Sequence, residues 1–443
     1  WNGQISHQNK RWDISSCGTG GTKLSPATSK YNKFFETGDP SISYGCGYAE
    51  IDEGLATALL SHIYHANNKS TERSLAIIEF ENDISINVRA HENLIRPSHL
   101  FLYLKQDDFK SLKSLLDFYI EYQSKNNSEW KNCPKNKSKY QFFLNKFCHT
   151  FAKLSANFED EYIFCWLDWD GDNILMDGGI IDYGSIRQFG LYHSEYRYDD
   201  VERFSTSLPE QKNKAKYIVQ TMAQAVEWIQ SNNKPTLQGV SNHHILDDFE
   251  KEYELKKNEN LLYRLGLSER KTKQTLKRAE KEVLEFKKIF SYFELAKSHR
   301  GRVKVSDGVT VDAIFSMRNF LRVFPQLFLH RGEELSHHEL LEILKTEYAD
   351  DKDLELTAYR KQKLSELQTK YLNLIQKVAS IFQEKIHDTL INLIKRSIVI
   401  NKSGRVTGDA ISHIVNLILK ERKNITVEDL FEIAKKLAAY QTL

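Results

Sequence analysis

The chain has 443 residues, which is enough for two or three domains. Lysine and arginine together number 62 and aspartate and glutamate 60, so no overall charge favours nucleic acid or a membrane surface as the partner. The five cysteines form no C-x-x-C pair, and their odd number argues against a disulfide framework.

These properties predict a soluble protein in a reducing, cytoplasmic setting. No apolar run approaches the roughly 18 residues that a membrane span needs. The chain starts at Trp1 rather than at methionine, which leaves open a targeting segment upstream.

The segment 11–17 has the pattern of a β-strand and runs into a turn rich in glycine and threonine. Gly18, Gly20 and Lys23 belong to this turn. Backbone N–H groups and a lysine side chain suit phosphate, as in anion-binding nests. The alternative is a flexible surface turn.

A helix and two strands are predicted next. Apolar residues recur at helical spacing over 50–64, and 75–80 and 84–89 have the pattern of two strands joined by a short acidic turn. The helix carries Glu53 in its first turn.

Beyond residue 100 the chain becomes helical and aromatic. Polar residues 124–139 separate two amphipathic stretches, which we interpret as packed helices of a larger lobe.

The segment 168–184, with the sequence DWDGDNILMDGGIIDYG, is acidic and rich in glycine. Two short apolar patches around Asp177-Gly178-Gly179 predict a β-hairpin, because glycine supplies the positive φ of tight hairpin turns. Such a hairpin would bring Asn173 and Asp182 together. Amide and carboxylate oxygens hold Mg²⁺ against nucleotide phosphates in this way. A solvated turn is the alternative; a calcium loop of the EF-hand type is excluded, since Asn173 and Gly179 stand where it needs glycine and glutamate.

The last third of the chain predicts further helices. An approximate seven-residue repeat indicates a long amphipathic helix, with the apolar residues Leu364, Leu367, Tyr371, Leu374, Val378 and Ile381. Segments 411–419 and 427–437 add two more helices. The charge run 271–281 is interpreted as a solvated helix face, because acidic and apolar residues interrupt it.

Several of these blocks resemble one protein family. Asp172-Asn173, followed nine residues after the asparagine by Asp182-Tyr183-Gly184, resembles the selenoprotein O family, kinase-like proteins that transfer AMP to other proteins. Pro97-Ser98-His99-Leu100 is similar to a P-S-H-L block of that family, and Trp1-Asn2-Gly3-Gln4 to the end of its glycine-rich nucleotide loop. The resemblance covers roughly residues 1–296.

The resemblance implies an α+β, protein-kinase-like two-lobed fold with a helical C-terminal extension. A small β-rich lobe would span 1–100, a helical lobe with the metal and nucleotide site 101–296, and the extension 297–443. The implied activity is that of an ATP- and metal-dependent protein adenylyltransferase, which places AMP on Ser, Thr or Tyr hydroxyls and releases pyrophosphate.

The resemblance also assigns roles. Asp52-Glu53 resembles the family's R-E pair on the helix at 50–64, which makes Glu53 the candidate for the charge that orders a lysine or a metal ion; a solvated carboxylate on the helix surface is the alternative. Asn173 and Asp182 would hold Mg²⁺ or Mn²⁺, and Asp172 would orient or deprotonate the acceptor hydroxyl. Arg89 and Arg96, seven residues apart, resemble the family's pair of phosphate-binding arginines, and guanidinium groups match phosphate oxygens in pairs. A second alignment, through Pro97-Ser98-His99-Leu100, puts Leu94 and Phe101 at the arginine positions instead.

Three departures from the family pattern stand out. Cys17 occupies the place of the lysine that anchors ATP, with Lys23 as a substitute in the turn, and Gly21 occupies the place of an arginine. No cysteine follows Cys165 in this sequence, so we expect the family's C-terminal redox switch to be absent. A nucleotide-binding scaffold without activity and a kinase that transfers the γ-phosphate therefore remain alternatives.

Overall fold

The computed structural model describes residues 2–19, 47, 49–165, 167, 169–181, 183, 186–197, 205–301, 303–304, 310–402 and 408–441. Over these residues the chain has mixed α/β structure, with fourteen α-helices and one four-stranded antiparallel sheet as its largest sheet.

The four-stranded sheet forms from the N-terminal part of the chain. Its strands are β1 (Gly3–His7), β2 (Lys10–Cys17), β3 (Arg73–Glu79) and β4 (Ser85–His91), in the order β1-β2-β4-β3. Helix α1 (Ile51–Ala66) connects β2 to β3. Gln8 and Asn9 both have positive φ, as the two-residue turn between β1 and β2 requires. The predicted strands and helix of this region are confirmed, with ends shifted by a few residues.

A helical body follows the sheet. Its helices are α2 (Pro97–Lys105), α3 (Phe109–Asn126), α4 (Ser138–Asp160), α5 (Leu208–Ser231) and α6 (His244–Arg264). Two small antiparallel pairs accompany them: β5 (Ile163–Phe164) with β6 (Arg187–Gln188), and β7 (Glu195–Arg197) with β8 (Ser205–Ser207). Phe143, Phe147 and Phe151 follow each other at one turn of α4 and are buried, so this helix forms the centre of the first hydrophobic core.

A second core lies in the following helices. They are α7 (Glu269–Arg278), α8 (Glu280–Glu294), α9 (Met317–Arg331), α10 (His337–Leu344), α11 (Ala358–Phe382) and α12 (Ile386–Ile400), with the strand pair β9 (Val303–Lys304) and β10 (Thr310–Val311). The predicted long amphipathic helix is confirmed as α11, and Leu364, Tyr371 and Val378 of its repeat are buried.

The last two helices return to the sheet. They are α13 (Gly408–Lys420) and α14 (Val427–Gln441), and both pack on α1. Ile411 and Val415 join the first core, and Arg422 forms ion pairs with Glu79 (3.1 Å) and Asp83 (2.6 Å). The C-terminal helices therefore brace the helix that connects β2 to β3.

A buried ionic cluster lies where the two cores meet. Arg264 Nη1 lies 3.1 Å from Glu294 Oε1, and Nη2 donates to the Tyr162 hydroxyl at 3.0 Å. That hydroxyl donates to the same Glu294 oxygen at 2.5 Å. The three side chains are buried or nearly so, and they join the ends of α4, α6 and α8.

Two general properties concern the described residues as a whole. None of the described helices is both long enough and apolar enough to cross a bilayer. The four described cysteines are free, and burial raises the pKa of Cys148 to about 12. This thiol therefore stays protonated at neutral pH and is a weak nucleophile.

Candidate functional site

The acidic, glycine-rich segment forms a loop between the sheet and the helical body. Its residues 169–181 and 183 are described. Ile180 N donates to Ser70 O (3.1 Å) and Glu72 N to Ile180 O (3.1 Å), which ties the loop to the start of β3. On its other side the loop lies against α4, since a Cβ atom on Gly178 would come 2.9 Å from Thr150 Cγ2.

The predicted hairpin turn is present, but its strands are not extended. Ile174 and Ile180 form one antiparallel bridge, Leu175 N donates to Gly179 O at 2.9 Å, and Gly178 has φ +78°. Met176 N donates to Ile95 O instead of to a partner within the loop. Because neighbouring segments take the backbone hydrogen bonds, the loop reverses tightly without forming a regular ladder.

Asp172 meets two residues of the Arg96–Leu100 segment. Its Oδ1 accepts from Ser98 Oγ at 2.9 Å and lies 3.2 Å from Arg96 Nη1. Arg96 Nη1 also donates to the Asp172 carbonyl at 2.9 Å. The carboxylate is still 51% exposed, so it is held in position while remaining open to solvent and to a ligand.

Gly171 allows this close approach. It has φ +72°, and a Cβ atom there would lie 2.7 Å from Pro97 Cβ. A side chain at this position therefore meets both backbone strain and the first residue of α2.

We expect Gly171→Ala to destabilise the protein by about 2–4 kcal/mol, because the backbone strain at positive φ and the steric clash with Pro97 both raise the free energy of the folded chain. Gly301→Ala is the matched control, because Gly301 has φ +73° but nothing within 4 Å of its Cβ position. It should lose only about 1 kcal/mol. Urea unfolding measures both, and equal losses would show that Pro97 is not a barrier.

The structure describes only one of the two predicted metal ligands, Asn173. Asn173 is partly buried at the entrance to the turn. Asp182 lies outside the described residues, but its neighbour Tyr183 is buried, with its ring centroid 6.0 Å from that of Tyr64. The Tyr183 hydroxyl has no hydrogen-bond partner among the described residues.

Arg89 lies on β4 and pairs with a fully buried carboxylate. Its Nη1 is 3.0 Å from Glu72 Oε2, and the Glu72 side chain has no exposed surface. Glu72 Oε1 and Arg89 Nε lack partners among the described residues. Burial raises the pKa of Glu72 to about 7, although Arg89, His91 and Arg96 act in the opposite direction. This carboxyl group therefore gains or loses its proton near neutral pH.

Cys17 and Glu53 lie close to this pair. Burial raises the pKa of the Cys17 thiol, Arg89 lowers it, and Glu53 and Glu72 raise it further. Glu53 is exposed in the first turn of α1. Cys17 is thus a neutral thiol in an environment shaped by one arginine and two carboxylates.

The glycine-rich turn after β2 is described only at its start. Gly18 has φ +89°, and a Cβ atom there would lie 2.3 Å from Ser85 O, so glycine is required by the packing of β2 beside β4. Several residues that the sequence singled out lie outside the described residues: Trp1, Gly20, Gly21, Lys23, Asp182 and Gly184.

The two alignments place different residues at the arginine positions, and these residues have different surroundings in the structure. Phe101 is buried in the first core, and Leu94 donates its backbone N–H to Asp13. Neither Leu94 nor Phe101 has a charged side chain, whereas Arg96 contacts the loop directly. Each of the two arginines pairs with a carboxylate, Arg96 with Asp172 and Arg89 with Glu72.

Three residues of this region were not identified from the sequence: Glu72, Ser98 as a partner of Asp172, and Tyr183 as a buried phenol. A lone glutamate before an apolar strand carries no motif. Ser98 could have been found, because it lies within the P-S-H-L block, although its partner is distant in sequence.

One other cluster has metal-ligand types. His299 Nδ1 lies 3.3 Å from Asp350 Oδ1 and 3.2 Å from Asp353 Oδ1. Arg300 Nε lies 2.6 Å from Asp350 Oδ2, and Ser298 Oγ donates to Asp353 Oδ2 at 2.7 Å. Protein donors already surround both carboxylates. We therefore interpret this cluster as a set of hydrogen bonds and ion pairs that joins the loop at 298–300 to the loop at 350–353.

The candidate site thus combines a held but exposed carboxylate, two arginines, a buried carboxyl group with a raised pKa and a partly buried asparagine. Carboxylate and amide oxygens suit a hard cation, and arginines suit phosphate. No model of a known protein family matches the chain, and a search of curated proteins finds no match.

Proposed function

We propose that this chain is a divergent relative of the selenoprotein O family and acts as a protein adenylyltransferase that uses ATP and a divalent metal ion. It transfers AMP to Ser, Thr or Tyr hydroxyls of proteins and releases pyrophosphate.

One observation carries the proposal. The Asp172-Asn173 block and the Pro97-Ser98-His99-Leu100 block were singled out separately in the sequence, and 74 residues separate Ser98 from Asp172. The two blocks meet through the hydrogen bond from Ser98 Oγ to Asp172 (2.9 Å) and the ion pair from Arg96 (3.2 Å). Blocks that form one site are expected to converge in this way; unrelated surface turns are not.

The architecture supports a kinase-like arrangement. Strand β2, which precedes α1 in the chain, lies beside β4, and β3 forms one edge of the sheet. The loop lies between this sheet and α4, and it has contacts to both. In kinase-like proteins the phosphates and metal ions bind between a small sheet-rich lobe and a helical lobe.

The residues present fit a hard cation. Asn173 and Asp182 supply amide and carboxylate oxygens. Tyr183 follows Asp182, and its buried hydroxyl and Glu72 Oε1 are polar atoms without partners among the described residues. Mg²⁺ or Mn²⁺, when bound, would neutralise phosphate charge.

The chain's own residues account for the remaining chemistry. The acceptor hydroxyl oxygen bonds to the α-phosphorus, and the bond from that phosphorus to the oxygen bridging to the β-phosphate breaks. Pyrophosphate leaves with the electron pair of that bond. Asp172 orients the hydroxyl and accepts its proton, while Arg96 and Ser98 hold the carboxylate. Arg89 supplies positive charge beside Cys17.

A scaffold that binds nucleotide without transferring it is the second candidate. The neutral thiol of Cys17 in place of the family's lysine supports it, as does the engagement of Arg89 with Glu72. Both features reduce the positive charge that remains for phosphates.

Intact-mass spectrometry after incubation with ATP and Mg²⁺ or Mn²⁺, with and without an unfolded protein as acceptor, separates the candidates. Added AMP supports the proposal. Added phosphate indicates a kinase, and nucleotide binding without added mass indicates a scaffold. Asp182→Ala should abolish transfer, and Asp172→Asn should slow it by about 10²–10⁴-fold.

Asp351→Asn is the matched control, because Asp351 is an exposed carboxylate on the loop before α11. Its transfer rate should equal that of the unmodified protein. Unchanged transfer in Asp182→Ala, in protein with the same melting temperature, would remove Asp182 from the site and overturn its assignment as a metal ligand.

A further inference from the structure

A second cleft lies between the two hydrophobic cores. Its volume is about 590 Å³, and none of its described lining residues belongs to the loop 169–183. The end of α1, the last turns of α4 and α6, the start of α7 and the end of α12 form its walls. The cleft is therefore separate from the candidate site.

The lining of this cleft has an excess of positive charge. It contains the cations Lys69, Lys153, Lys256, Lys273, Arg396 and Lys402 and the carboxylates Glu161, Glu259 and Glu269. Each carboxylate already pairs with one lysine: Glu161 with Lys69 (2.7 Å), Glu259 with Lys256 (3.3 Å) and Glu269 with Lys273 (2.6 Å). Three cations remain without a carboxylate partner among the described residues, whereas the whole chain has a net charge of only +2.

Two of the three remaining cations donate to backbone carbonyl oxygens. Lys402 Nζ donates to Tyr440 O at 2.6 Å, and Arg396 Nε donates to Gly266 O at 2.8 Å. The Lys153 side chain has no hydrogen bond or ion pair within 4.0 Å to a described residue, and its charge acts at longer range on Glu269, whose pKa it lowers. Carbonyl oxygens accept hydrogen bonds but do not neutralise charge, so the excess persists.

The ends of helices explain part of this pattern. Lys69 and Lys402 lie just beyond the C-termini of α1 and α12, where positive side chains offset the helix dipole. Lys153 lies about two turns before the end of α4, beyond the reach of that effect. Asn157, one turn further on, accepts from Asn260 Nδ2 through its Oδ1 (3.1 Å), which leaves its amide nitrogen to donate.

We propose that this cleft binds a small polyanion that carries two or more phosphate groups, at a site independent of the proposed transferase activity. Lys153, Arg396 and Lys402 supply the unneutralised charge, and the Asn157 amide adds a neutral donor. Phosphates suit these groups because they concentrate several negative charges and acceptor oxygens in a small volume, and because guanidinium forks bind them in pairs.

Isothermal titration calorimetry with tripolyphosphate, near physiological ionic strength, tests this site. We expect saturable binding that Lys153→Gln/Arg396→Gln weakens about tenfold or more, since each charged hydrogen bond contributes about 1.5–3 kcal/mol. Lys153→Gln alone should weaken it in the same direction, and this variant removes no contact that the fold needs. Asp182→Ala should leave this binding unchanged, which separates the cleft from the transferase site.

The matched control is Lys361→Gln/Lys423→Gln, which removes two positive charges from exposed positions elsewhere. It should bind tripolyphosphate as the unmodified protein does. Equal weakening by both double variants, or equal heat from sulfate at the same ionic strength, would show non-specific ion binding and overturn the proposal. Absence of binding to the unmodified protein would overturn it as well.

Discussion

Replacement of Arg264 by methionine is expected to lower the free energy of unfolding by about 3–5 kcal/mol. The substitution keeps most of the apolar side-chain volume but leaves Glu294 buried beside Tyr162 without its positive partner. Breaking a buried ion pair on one side is destabilising because the remaining carboxylate loses its paired cation, and the neutral Tyr162 hydroxyl does not replace that charge. Urea titration followed by far-ultraviolet circular dichroism measures the loss.

Two further variants give this prediction its controls. Arg270→Met, at an exposed position of α7, should change stability by no more than about 0.5 kcal/mol. The double variant Arg264→Met/Glu294→Gln should recover part of the loss, because the uncompensated charge is gone. A loss below about 1 kcal/mol for Arg264→Met would mean that the cluster does not hold the two cores together.

Glu72→Gln is expected to make the protein more stable than the unmodified chain at about pH 8, by about 2–3 kcal/mol, and equally stable below about pH 5. The pKa of Glu72 rises from its usual 4.5 to about 7 in the folded chain. Between these values the folded chain binds the proton more tightly than the unfolded chain, so stability falls as the pH rises through this window. Glutamine resembles the protonated form and loses no proton.

Free energies of unfolding from urea titrations at several pH values test this difference in slope. Glu92→Gln is the control, because Glu92 forms a partly exposed ion pair with Lys10 at 2.6 Å. It should follow the pH dependence of the unmodified chain. If Glu72→Gln has that same dependence, the carboxyl group of Glu72 is not the group that titrates in this window.

Local patterns were sufficient to predict the regular elements. The strand that ends at Cys17, helix α1, the strands around residues 75–89 and the long helix α11 follow from periodicity, because a buried face imposes its period on the sequence. The tight reversal at Asp177-Gly178-Gly179 also follows, since a positive φ selects glycine.

Features that depend on distant partners could not be predicted. The patches around Ile174 and Ile180 do not become strands, because Ser70, Glu72 and Ile95 take their backbone hydrogen bonds. The burial of Glu72 and of Arg264 leaves no local signal in the sequence. A charged residue is expected at the surface unless its partner in the fold is known. The contact of Ser98 with Asp172 depends on the folding of the chain between them.

The packing of α13 and α14 on α1 affects how the chain folds during synthesis. Arg422 contacts Glu79 across 343 residues of sequence, and Ile411 and Val415 complete a core that α1 begins. At 5–20 residues per second, the ribosome takes roughly 20–70 s to make the intervening chain. During that interval part of α1's apolar surface has no cover, so nascent chains should engage chaperones at this helix until the closing pair emerges.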